Sequence, residues 1–203
     1  MMKSFLLILS ALISTTFSAQ SFAQSDQPLT VNVHGARYFT PTDLTTLSAA
    51  TALIEKVMNS EEFKQAVLNF SYAGVPGFVQ NNGLDNQQLY DLLMSGAEAL
   101  PTQTAADHVM DFDLEMYTGR ASVLGYTNPG TLTVWINSNF YDYATVNEIA
   151  MNLTHEWCHK MGFDHDYYNT ARRPYSVPYG IGYLVRDLGA KMQAQQMALA
   201  KQP

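Results

Sequence analysis

His155-Glu156-Trp157-Cys158-His159-Lys160-Met161-Gly162-Phe163-Asp164-His165 is the run around which the rest of the chain can be ordered. His155 and His159 stand one helical turn apart, so their rings leave the same face and can share a cation. Glu156 lies about 100° round from His155, beside such a cation, where a carboxylate can take a proton from water on the metal. Gly162 lets the backbone leave the helix through a left-handed conformation that other residues resist. The residues after it turn His165 back as a third ligand. Three protein ligands leave one position of a tetrahedral zinc site for water, which a catalytic site needs.

The helix is legible upstream as well. Thr145 with Glu148 three residues later forms a capping box. Val146, Ile149, Ala150, Leu153, Trp157 and Met161 fall on one side at about 100° per residue. Glu148, Asn152, His155 and His159 fall on the other, so the histidines should line a cleft. Before this helix the period changes to two. Met110, Phe112, Leu114 and Met116 alternate with Asp111, Asp113, Glu115 and Tyr117, and Leu132, Val134 and Ile136 alternate with Thr131, Thr133 and Trp135. Thr118-Gly119 and Asn128-Pro129-Gly130 supply turns on either side of residues 121–127, which predicts three strands in an antiparallel meander.

Further upstream, residues 29–34 read as a strand, and Thr40 or Thr42 can cap a helix running to about Met58. A short helix follows from Ser60 to near Phe70, then a glycine-rich loop over residues 72–83, then a helix capped by Asp85 that ends before Pro101. Downstream of His165, a loop rich in Tyr, Pro and Arg precedes a last helix from about Gly182 to Ala200. The order of elements predicts an α+β fold in a single domain.

Composition narrows the function classes. The 203 residues suit one domain, and an apolar share of 47% with 14% charged residues is that of a folded protein. Eighteen acidic against eleven basic residues give a net charge of −7, which argues against a nucleic-acid partner. Lys3, an apolar run over residues 5–13 and Ser21-Phe22-Ala23 read as a signal peptide over residues 1–23, cut after Ala23. Residues 24–203 would then form the working domain, exported to the periplasm or secreted. The apolar run is short for a bilayer span, so no stable membrane anchor is expected. Cys158 is the single cysteine and cannot form a disulfide within the chain.

The pattern of His155, Glu156, His159, Gly162 and His165 resembles the metzincin clan of zinc metallopeptidases, which share HExxHxxGxxH. The resemblance implies that His155, His159 and His165 bind Zn2+, that Glu156 is the general base and that Gly162 makes the bend. It also implies a zincin-like domain with a small mixed sheet before an active-site helix and a C-terminal helix after it. In that clan an edge strand binds substrate antiparallel, and residues 131–137 are the matching candidate. One feature departs from the clan: no methionine lies between Met161 and Met192, and Pro178 stands where the methionine of the turn beneath the metal would be. Tyr175-Ser176-Val177-Pro178-Tyr179 is the corresponding segment. Tyr175 or Tyr179, the latter better placed by likeness, could donate a hydrogen bond to a developing oxyanion, against the plainer reading that both pack the cleft floor.

Other groups have plainer readings. Cys158, about 60° behind His155, reads as a small core residue. Asp164 or Asp166 could orient a ligand histidine, or could be solvated loop acids. Asp111, Asp113 and Glu115 read as a solvent-facing strand side before calcium ligands, His34 and His108 as structural, and Arg172-Arg173 as solvated loop. The expected activity is hydrolysis of peptide bonds in a peptide or protein substrate by a monomeric zinc metalloendopeptidase. The alternatives are a zinc amidase acting on a cell-envelope component and a non-catalytic metal-binding module on a peptidase scaffold.

Overall fold

Side-chain caps set most of the helix starts. The computed structural model describes residues 27–99, 106–120, 123–128 and 130–201. The segment read as a signal peptide, residues 1–23, lies outside these, as do residues 24–26. Strand β1 (Thr30–Arg37) leads into helix α1 (Pro41–Met58), where the Thr40 hydroxyl accepts from the Asp43 N–H and the Asp43 carboxylate accepts from the Thr40 N–H. Ser60 caps helix α2 (Glu61–Leu68) through the Phe63 N–H. The segment expected as a loop holds a small ribbon, β2 (Ser71–Tyr72) against β3 (Val75–Pro76). Helix α3 (Asn86–Ser95) opens on an Asp85–Gln88 capping box. It stops at Gly96, where a positive φ of 67° and the closeness of the Val109 backbone both require glycine.

Strands β4 (Val109–Tyr117), β5 (Gly125–Thr127) and β6 (Thr133–Asn137) complete a four-stranded mixed sheet in the order β1-β4-β6-β5. The fold is α+β, as expected. The antiparallel meander is not what forms: β1 and β4 are parallel, β4 and β6 are parallel, and only β5 and β6 make an antiparallel pair. After Tyr117 the chain passes the place beside β4, returns one strand further out as β5, and β6 fills the gap. The physical reason is the extent of apolar surface to be covered. The five residues of β6 place Val134 and Ile136 beside Leu114 and Met116, which the three residues of β5 cannot do. Residues 131–137 are therefore corrected from edge to interior; β1 and β5 are the edges, and β5 is the one beside β6.

The polar side of β4 also differs from expectation. Asp111 is buried at 3% exposure, its carboxylate held by Asn32 and His34 of β1. That engagement explains it without a calcium ion.

The other sheet face carries the core, with Met110, Phe112, Leu114, Val134 and Ile136 buried together with Leu47, Ile54, Leu153 and Trp157. A short helix α4 (Ser138–Tyr141), not foreseen, follows β6. Helix α5 (Val146–Lys160) starts on the Thr145–Glu148 capping box. Helix α6 (Val177–Ala200) packs along α5 and begins five residues before the expected Gly182, because Pro178 sits in its first turn, where a missing N–H costs nothing. No described helix is long and apolar enough to cross a membrane.

Candidate metal centre

Helix α5 is locked to the sheet before it presents any ligand. Trp157, fully buried, donates its indole N–H to the Glu98 carboxylate at 2.6 Å, and Glu98 also accepts from the Asp111 N–H at 3.0 Å. At the end of the helix the buried Lys160 ammonium donates to the Thr133 carbonyl at 2.8 Å, to the Thr131 carbonyl and to the Thr127 hydroxyl. These bonds tie α5 to β4 on one side and to the β5–β6 hairpin on the other.

Gly162, at φ +86°, then turns the chain. The Phe163 N–H reaches back to the Cys158 carbonyl and the Gly162 N–H to the His159 carbonyl, the paired bonds of a Schellman ending. This exit brings His165 back over the helix. The ring centroids of His155, His159 and His165 stand 5.0–5.2 Å apart in a nearly equilateral triangle. One ring nitrogen from each lies within 4.8 Å of the other two, close enough for a single metal ion.

Each imidazole is oriented by a main-chain carbonyl. Nδ1 of His159 faces the Phe163 carbonyl at 2.8 Å, Nδ1 of His165 faces the Asp166 carbonyl at 3.1 Å, and His155 bonds to the backbone of Pro178. A ring that donates from Nδ1 keeps an unprotonated Nε2 for a metal, a common outer arrangement around ligating histidines. Burial, together with the neighbouring imidazoles, holds His155 well below the usual histidine range and lowers His159. Neutral rings are what metal binding requires. The donor set fits a metal ion with three nitrogen ligands.

Glu156 is 4% exposed, lines the same cleft, and makes no hydrogen bond among the described residues. Burial pushes its carboxyl up to about 8, partly offset by the Lys160 ammonium. The ring of Tyr179 lies 4.4 Å from His155 and 4.9 Å from His165, centroid to centroid. Its hydroxyl is raised above the ordinary tyrosine value, chiefly by burial, so it stays a donor. Tyr175 instead packs on Tyr72 and Phe70, away from the histidines. The segment 175–179 thus reaches the centre through the Pro178 backbone and the Tyr179 ring.

These groups open on a cleft of about 810 Å³ bounded by β5, α5, the 162–167 exit and the start of α6. Other sequence candidates fall outside the chemistry. Cys158 is buried in the core, as expected. Asp164 accepts the His165 N–H, and the Asp166 carboxylate is taken by Thr170 and Arg172, so it is the Asp166 main chain that orients His165. His34 pairs with Asp111, and the His108 ring meets the Met94 carbonyl.

The expectation for Arg172-Arg173 needs correcting in its second half: Arg173 is half-buried, lines the cleft and stacks on Tyr179. Glu98 and Lys160 carry no local signal in the sequence, and each takes its role from partners distant in the chain. Comparison with protein-family models, curated proteins and solved structures returned no match.

Proposed function

We propose that the chain is a zinc-dependent hydrolase of metzincin type, exported from the cytoplasm, that cleaves peptide bonds as a metalloendopeptidase. The observation that carries this reading is the His155–His159–His165 triangle, each ring oriented by a backbone carbonyl, with the Glu156 carboxylate in the same cleft. His155, His159 and His165 would hold the ion, leaving one position open. Bound there, zinc supplies a Lewis acid that makes water acidic near neutral pH and polarises a carbonyl.

The protein's own groups do the rest. Glu156 takes the proton of the attacking water and returns it to the leaving amine. A carboxylate lifted toward neutral pH by burial suits both transfers. A cation on the three histidines would pull that carboxyl down again, so its burial and the metal act in opposite directions. Tyr179, protonated and beside two ligand rings, can donate to the oxyanion that develops. A free Glu156 beside intact ligands favours catalysis over a module that only binds metal.

The purified protein is expected to hold one zinc ion by elemental analysis, and His159→Ala to hold none. Glu156→Ala should keep the zinc while peptide hydrolysis falls by about 10²–10⁴-fold, the range for loss of a general base. Unchanged cleavage by Glu156→Ala rejects the mechanism, and a zinc-free wild type rejects the centre.

A further inference from the structure

Among the described residues Arg173 is the one guanidinium on the wall of this cleft, and it has no ion-pair partner there. Arg172 pairs with Asp166, Arg37 with Glu115 and Arg186 with Asp187; of the two arginines with no ion pair among the described residues, Arg120 is exposed, whereas Arg173 is half-buried on the cleft wall. Its Nε is buried without a hydrogen-bond partner. Of the acids that share the cleft, Asp164 accepts the His165 N–H and Glu156 lies beside the Lys160 ammonium, and neither forms an ion pair with Arg173. A half-buried guanidinium with an unmet donor loses stability unless something completes it.

Its position is fixed. The Arg173 carbonyl accepts both the main-chain N–H and the hydroxyl of Ser176, itself fully buried. The same turn is joined to the body of the protein by the Val79 N–H, which donates to the Tyr175 carbonyl at 2.8 Å. The guanidinium carbon sits 4.9 Å from the centre of the Tyr179 ring, and that ring lies 4.4 Å from His155. One aromatic ring therefore separates the unpaired cation from the metal ligands. A peptide advances about 3.3–3.6 Å per residue, so a carboxylate within a residue or two of the reacting carbonyl can reach Arg173.

We propose that Arg173 is a specificity-determining residue that binds a carboxylate of the peptide substrate, through the planar donor fork that matches carboxylate geometry. The carboxylate comes from an acidic side chain or from the peptide's own C-terminus. The inference rests on the hydrolase reading for the meaning of "substrate", but the binding it describes can be measured without turnover.

The test uses the full chain bearing Glu156→Gln, loaded with zinc, and three peptides of one sequence: a Glu-containing peptide with an amidated end, its Gln counterpart, and the Gln peptide with a free carboxylate end. Calorimetry at low salt should show at least one carboxylate peptide binding about tenfold tighter than the neutral one, and which one identifies the source. Arg173→Gln should erase that gap with zinc content unchanged and the melting temperature no lower, and Arg173→Lys should keep part of it. Equal affinity for all three peptides, absence of binding by every one, or a gap that survives Arg173→Gln overturns the proposal. Failure of zinc uptake is a separate result: it removes the hydrolase, while the three-peptide comparison is still read on the metal-free protein.

Discussion

Glu98 couples a single buried carboxyl to the stability of the whole site. It is 2% exposed and accepts from Trp157 on α5 and from the backbone of β4. Burial raises its carboxyl above the ordinary value of 4.5, more than those bonds lower it. The folded protein then holds this proton more firmly than the unfolded chain. Its stabilising contribution is complete below the unfolded value and is lost as pH rises through the folded one. Glu98→Gln keeps an acceptor for both donors but cannot ionise. Urea midpoints measured from pH 4 to pH 8 should show the wild type losing stability relative to Glu98→Gln as pH rises, and a constant difference would reject the coupling. Gly162 makes a second prediction at this scale. A methyl group there meets only Ala99, at 3.9 Å, so Gly162→Ala should cost about 1–2 kcal/mol through the left-handed backbone alone.

Helix α5 works as a unit because both its ends are fixed. The Thr145–Glu148 box satisfies N–H groups at its start, and Thr145→Ala should cost about 1 kcal/mol in denaturant unfolding. At its end Lys160 holds the carbonyls of Thr131 and Thr133. Lys160→Met would orphan the Thr131 carbonyl, leave the Thr133 carbonyl to the Thr127 hydroxyl alone, and leave Glu156 without its neighbouring cation. An unmet buried polar group costs about 1–3 kcal/mol, so this variant should lose more stability than Thr145→Ala. Equal midpoints for the two would show that the hairpin does not depend on the ammonium. The phase of α5 follows from its apolar residues: Ile149, Leu153 and Trp157 go into the core and carry His155 and His159 round to the cleft.

At the scale of the molecule, the centre joins parts that are otherwise separate. Two of the three histidines come from α5, one from the loop after it, and the flanking groups Pro178 and Tyr179 from the first turn of α6. An ion bound only by the folded state adds stability by mass action, about 4 kcal/mol at a thousandfold excess over its dissociation constant. For a chain of this size that is a rise of about 10 °C in Tm. Zinc should raise the Tm, a chelator should reverse the rise, and His165→Ala should abolish it. A melting temperature indifferent to zinc in the wild type would contradict a folded-state metal site.

The capped starts of α1, α2, α3 and α5, the period of α5, the alternation in β4 and β6 and the three histidines could all be read from the chain, because each depends on residues within a few positions of one another. Asp85 with Gln88 and Thr145 with Glu148 act locally, and the structure keeps both. Strand order, the burial of Asp111 and the placement of Arg173 could not be read in this way. They depend on contacts between segments far apart in the chain, such as Asp111 with Asn32, Trp157 with Glu98 and Lys160 with Thr133. Local sequence determined which elements form and which side chains α5 presents. Tertiary packing decided which strand lies beside which and which charges are left without a partner, because only the assembled fold brings those groups together or keeps them apart.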